Sequence, residues 1–350
     1  MENLENAEQP EFDNEQNNTS KLHGYKVVCA KLGLSMCVYF IFRLAGGWIT
    51  LLLGNSLGSF SETLYSLVST IIIIICAYII PLAFTALVFK SFETYKGRFK
   101  ELYAKPKRLA RALGTFPAMY GFGYGVALLT MLTMYLISRN LSGHSYFEEL
   151  LQPTTLEPSG SIAGLIGVVF VLVVIAPIFE EIWVRGIMFD ALKPYGTGMA
   201  IIISSLIFGF MHGNLYMFFY TTALGFALGY VRYATNSLFT VTVLHAMVNS
   251  VAAGILVVLS LYEITNGESR VVNTFYWVYL LAVLALIIIG VVVFLSKIPA
   301  IRKYKIENAW TETGPWKKTA LFFISIPVIL MMVLVFNELS QGLLIGLIFR

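Results

Sequence analysis

Residues 162–189 read IAGLIGVVFVLVVIAPIFEEIWVRGIMF. A helix crosses the ~30 Å hydrocarbon core of a bilayer in about 20 residues, and this run is long enough while carrying no charge before Glu180. It reads as a transmembrane helix with two adjacent glutamates, Glu180 and Glu181, and an arginine, Arg185, set into it. The apolar half of the pattern recurs along the chain, near Leu32–Leu53, Leu64–Phe89, Phe116–Ile137, Met199–Val231, Leu238–Leu261, Phe275–Leu295 and Ala320–Phe336. Met199–Val231 is longer than a bilayer is thick and is expected to break at Gly213-Asn214 into a tilted or re-entrant pair. Backbone polar groups in lipid must be satisfied within the chain, and runs of this length do that as helices. The expected fold is all-α, a polytopic transmembrane bundle of about 8–9 spans.

Composition agrees. Of 350 residues, 57% are apolar and 13% charged, which excludes a water-soluble enzyme. The net charge of +4 falls in blocks between apolar runs rather than along one polar face, so it reflects membrane topology and not nucleic-acid binding. Eight basic residues lie between Lys90 and Arg111 against Glu93 and Glu101, and six between Lys297 and Lys318 against Glu307 and Glu312. Ser138–Ser161 carries only Arg139 against Glu148, Glu149 and Glu157. The excess places both basic loops, and by parity the N-terminus, in the cytoplasm; the same parity requires two crossings within Met199–Val231. Residues 1–25, polar and acidic, are expected to form a disordered tail, with 26–350 a single membrane domain. No basic stretch precedes a short apolar core, so a cleaved signal peptide is not expected. Asn337–Arg350 is long enough only for a partial helix. Cys29, Cys37 and Cys76 lie in or beside apolar runs, without metal-ligand or disulfide spacing.

Charges inside spans need a reason, since each costs about 2.5–3.5 kcal/mol near the bilayer centre on insertion scales. Glu181 and Arg185 are i and i+4 on one helix face, where they can pair. Glu180 points about 100° away and is left without that cation. A partly desolvated carboxylate of this kind is a candidate general base or acid, although both glutamates also suit a helix end in the headgroup region. His212, in Phe208-Gly209-Phe210-Met211-His212, sits beside the expected break, and His245 and Asn249 project side by side from the span Leu238–Leu261. Two hydrogen-bonding side chains aimed at one point are what a developing oxyanion requires, and they are equally what holds membrane helices together. All four groups fall at similar depth. His23 and His144 lie in the tail and the outer loop. Gly225-x-x-x-Gly229 is a helix-packing face. Arg43, within the first span, is expected to pair inside the bundle or reach toward a surface.

At these three segments the sequence resembles the CPBP family of intramembrane proteases, also called the Abi or type II CAAX prenyl protease family. The residues that carry the resemblance are Glu180-Glu181-x-x-x-Arg185, Phe208-x-x-x-His212 and His245-x-x-x-Asn249, in the family's order. The resemblance covers about residues 160–258. It implies a helical bundle with an intramembrane polar cavity open to the cytosol, in which Glu180 and His212 activate water and His245 and Asn249 stabilise the oxyanion. Glu181, Arg185 and Phe208 would be supporting residues. It implies no cofactor; a zinc ion held by Glu180, Glu181, His212 and His245 is the alternative, although no His-Glu-x-x-His is present.

The expected function is therefore an integral membrane endopeptidase acting on a peptide or membrane-protein substrate. The bacterial relatives suggest peptide maturation or bacteriocin self-immunity, and the polar N-terminal composition suggests a bacterial plasma membrane. An ion-coupled transporter using the same carboxylates and histidines, or a non-catalytic immunity or scaffold protein of the same fold, are the alternatives.

Overall fold

The computed structural model describes residues 9–57, 61–91, 99–106, 108–141, 162–213, 215–303 and 314–335. It is all-helical, 91% helix with no strand among these residues. Helix α1 is Gln9–Leu57. Helix α2 runs through Glu62–Ile73, Ile74–Ile79 and Ile80–Val88, starting at Ser61, whose hydroxyl accepts from the Leu64 amide at 3.2 Å. Two short helices, Phe99–Leu102 and Leu109–Leu113, lead to α3, Phe116–Leu141. Helix α4 is built from Ile162–Phe170, Val171–Ile175, Ala176–Glu180, Glu181–Met188 and Phe189–Leu192. Then come α5 (Thr197–Phe210), α6 (Leu215–Thr235), α7 (Leu238–Ile264), α8 (Arg270–Lys303) and α9 (Pro315–Phe323).

Six of the described helices are long and apolar enough to cross a membrane, and a seventh span results if the α9 region, bent by 71° between Trp316–Phe323 and Ile326–Val335, counts as one. Helix α5, with 14 residues, is apolar but shorter than a span, and α6 is not among the six. The chain is an integral membrane protein, and the apolar side chains left exposed on α8, among them Phe275, Trp277, Leu281, Ile288 and Val292, are those a lipid-facing helix requires.

Residues 1–8 lie outside the described residues, and Gln9–Ser20 is helical, the opening of α1. Pro10 suits a first helical turn, and the Glu and Gln residues after it are good helix formers continuous with the apolar span. His23 is thus an exposed residue of α1. Most of the outer loop with His144, much of both basic loops, Asn214 and the expected C-terminal partial helix lie outside the described residues.

Stretches Ile74–Ile79, Val171–Ile175 and Glu181–Met188 are π-helical, with i→i+5 bonding. The first two have a proline cause. Pro81 and Pro177 cannot donate an amide, and their rings crowd the carbonyl four residues earlier, at Ala77 and Val173; widening the helix there relieves that contact. Glu181–Met188 contains no proline, and seven of its eight residues are buried. Its Trp183 is tied to α2 by a hydrogen bond from Nε1 to Thr85 Oγ1 (2.8 Å).

Helices α5 and α6 form a close antiparallel pair. A Cβ built on Gly225 would lie 3.0 Å from Ser205 Cα, and one on Gly229 3.3 Å from Ile201 Cγ2, so the Gly-x-x-x-Gly face is the packing surface expected of it. Helices α3 and α8 cross closer still, with Gly121 against Gly290. The core between α1, α4, α5 and α7 contains, unusually for lipid, two of the largest fully buried side chains as arginines, Arg185 and Arg232.

Candidate active site

The site is assembled around Arg185. Its Nη1 donates to Glu181 Oε1 at 3.1 Å, both side chains being fully buried, and its Nη2 donates to the Gly225 carbonyl at 3.3 Å. The guanidinium lies 4.2 Å from the centre of the Phe208 ring, so α4, α5 and α6 converge on one cation. Arg232 extends the frame. Its Nε donates to the Arg185 carbonyl at 3.2 Å, Nη1 to Asn236 Oδ1 at 2.7 Å, and Nη2 to Asp190 Oδ1 at 3.2 Å.

His245, on α7, joins the same carboxylate. Its Nδ1 lies 2.9 Å from Glu181 Oε1. A carboxylate only accepts, so Nδ1 carries the proton and Nε2 is turned toward Glu180, whose Oε2 is 3.9 Å away. Glu180 is 9% exposed, whereas Glu181 is fully buried. The two neighbours thus have different tasks. Oε1 of Glu181 accepts from both Arg185 and His245, its Oε2 is buried without a hydrogen-bond partner, and Glu180 is the slightly more exposed of the two.

His212 follows the break after α5. Helix ends leave carbonyls without intrahelical donors, and in lipid each must be satisfied locally. Here the Ile207 carbonyl accepts from the Met211 amide (3.0 Å), Gly209 from the His212 amide (3.2 Å) and Phe210 from the Gly213 amide (3.2 Å). The Phe208 carbonyl is taken by His212 Nδ1 at 2.8 Å, which leaves Nε2 as the acceptor nitrogen. The Met211 carbonyl is reached from α1, by Arg43 Nη1 at 2.6 Å and Tyr39 Oη at 2.9 Å. Gly213 closes the turn at φ 62°, a conformation glycine adopts without cost. The Phe208 ring stands edge-on to both imidazoles, with centroids 5.1 Å from His212 and 5.5 Å from His245.

Asn249, one turn beyond His245, donates Nδ2 to the Leu172 carbonyl at 2.9 Å, inside the first π stretch of α4. That bond fixes the amide plane. One N–H remains for another acceptor.

Of the residues expected from the sequence, Glu181, Arg185, Phe208, His212 and His245 are joined by hydrogen bonds and ring contacts, Glu180 lies 3.9 Å from His245 Nε2, and Asn249 bonds to the Leu172 carbonyl of α4. The Glu181–Arg185 pair is present as spaced. Glu181 also orients His245, a link that spans 64 residues and has no local signature. Sequence reading left Arg43 without a partner; it is a backbone carbonyl, which no side-chain pattern announces. Among the described residues no group of three or more His, Cys, Asp and Glu side chains is placed to hold a metal ion.

Residues 162–251 match the family model described as type II CAAX prenyl endopeptidase Rce1-like. The match covers about a quarter of the chain and contains every residue named from the three motifs. It bears out the resemblance and supports, at the level of the family, an intramembrane endopeptidase of the CAAX-protease type with a peptide or protein substrate. The chain is also 25% identical over 233 residues to an uncharacterised protein of Mycoplasma capricolum subsp. capricolum, 63% of this chain and 65% of that one. It thus spans less than two thirds of that relative's length. No solved structure matches.

Proposed function

We propose that the protein hydrolyses a peptide bond in a peptide or membrane-associated protein with water activated by Glu180, and without a metal. The observation that carries this reading is the division of labour between adjacent glutamates. Glu181 is held by Arg185 and His245, while Glu180, next to the Nε2 face of His245, keeps the outward position.

In the proposed step, a water hydrogen-bonded to His212 Nε2 loses a proton to Glu180 as its oxygen adds to the scissile carbonyl carbon. The resulting oxyanion is met by the remaining Nδ2 hydrogen of Asn249 and by His245 as an imidazolium, since with Nδ1 given to Glu181 its Nε2 can donate only when it too carries a proton. Collapse breaks the C–N bond, and Glu180 returns the proton to the leaving nitrogen. Glu181 and Arg185 position the imidazole, and Phe208 spaces the two histidines. The metal-free reading is supported by the pairing of Glu181 with Arg185, a buried cation that would compete with a metal ion for the same carboxylate. We place the N-terminus in the cytoplasm of a bacterial plasma membrane, with peptide maturation or bacteriocin self-immunity as the biological role.

The test compares wild type with Glu180→Gln in detergent, with chelator, on a library of membrane-protein peptides read for new termini by mass spectrometry. Cleavage by wild type alone is expected. Cleavage by neither protein, with zinc restored, would sink the proposal and turn attention to transport or to partner binding without catalysis.

A further inference from the structure

The motifs that brought this site to notice all lie on α4, α5 and α7. The turn that presents His212 is nevertheless held from α1, far outside residues 162–251. The Met211 carbonyl can accept two hydrogen bonds and receives two, from Arg43 and from Tyr39. These donors are also joined to one another, with Arg43 Nη1 3.4 Å from Tyr39 Oη and the guanidinium 6.0 Å from the Tyr39 ring centre. Tyr39 then packs on Trp183 of α4, centroids 5.3 Å apart, three residues past Glu180. One turn of α1 thus contacts both the turn that ends in His212 and the helix that carries Glu180.

We propose that Arg43, with Tyr39, is a positioning residue that fixes His212 by clamping the Met211 carbonyl. The physical case is that the carbonyls of Ile207, Phe208, Gly209 and Phe210 are all tied by bonds within the turn, which join it to no other helix. The Met211 carbonyl joins the turn to α1 through a charged donor, and charge-assisted bonds are about twice as strong as neutral ones. Misplacing an activating group by about 1 Å costs up to about 100-fold in rate. The inference rests on the reading of His212 as part of the water-activating site.

Two readouts on the full-length protein in detergent separate the two ideas. The first is chemical modification of His212 by diethylpyrocarbonate, followed by mass spectrometry, with exposed His23 as the internal control. Arg43→Met is expected to change the His212 rate about fivefold or more and leave His23 unchanged. Tyr39→Phe, which removes only a hydroxyl, is expected to change it in the same direction by less, and it serves if Arg43→Met does not fold. The second readout is steady-state cleavage. Arg43→Met should lower kcat about tenfold or more with little change in KM, Arg43→Lys should recover most of that loss, and adding Arg43→Met to His212→Ala should cost nothing further.

An unmoved His212 modification rate in both variants, or full additivity with His212→Ala, would overturn the positioning role. If the wild type cleaves nothing, the hydrolase reading fails, and the modification rates still decide whether Arg43 fixes His212.

Discussion

One oxygen atom, Oε1 of Glu181, accepts both from Arg185 Nη1 at 3.1 Å and from His245 Nδ1 at 2.9 Å. Glu181→Ala would remove the anion and leave a fully buried guanidinium beside an imidazole without its acceptor. Breaking a buried pair from one side costs about 3–5 kcal/mol. The expected result is a large fall in the thermal unfolding midpoint in detergent, with a smaller one for Glu181→Gln, which keeps an acceptor oxygen. Equal midpoints for Glu181→Ala and wild type would show that the pair does not hold the helices.

Glu180 should behave in the opposite way. Glu180→Gln removes the base and no structural bond, so catalysis should fall about 100- to 10,000-fold, the usual contribution of a general base, with an unfolding midpoint no lower than wild type. Residual cleavage within tenfold of wild type would remove Glu180 from the chemistry.

Asn249 links the two halves of the site, because its amide is anchored at Leu172 while presenting a second hydrogen. Asn249→Ala should reduce kcat about 100- to 1,000-fold, as loss of one oxyanion donor does, and leave KM nearly unchanged. A rise in KM with kcat preserved would instead make Asn249 a substrate-binding group.

Chelation supplies an independent check on the donor set. Activity measured after exhaustive dialysis against chelator should equal that of the undialysed protein. Loss on dialysis with recovery on adding zinc would mean that the side chains rearrange around a metal.

At Gly209 the α5–α6 pair leaves no room: a Cβ would run into Thr222 Oγ1 and come within 2.9 Å of the Phe218 carbonyl. Gly209→Ala is expected to destabilise by about 1–3 kcal/mol, and, lying three residues before His212, to reduce cleavage as well. A variant of wild-type stability and activity would show that the pair can part at this point.

The legible part of this protein was what local spacing encodes. Helix lengths, the Glu181–Arg185 pair, the Gly225–Gly229 face and the three motifs all follow from residues a turn apart. What the sequence did not reveal lies in contacts to main-chain atoms and across long separations. Arg43 stood out as a charge in a span, but its acceptor is the Met211 carbonyl, and Asn249 bonds the Leu172 carbonyl; side-chain chemistry at the acceptor position is silent in both cases.

The widened turns of α4 have a meaning for how this helix tolerates change. A π stretch contains one residue more than the α-helix that could replace it, and Glu181–Met188 sits between Glu180 and everything downstream. Removing one residue between Glu181 and Arg185 would let the segment relax to ordinary winding with Phe189 and its successors still in phase, but it would break the i, i+4 spacing that pairs the two and holds the guanidinium against Gly225 and Phe208. Substitutions along this stretch are errors of spelling, whereas a deletion is an error of spacing. The site is written in the number of residues as much as in their identity.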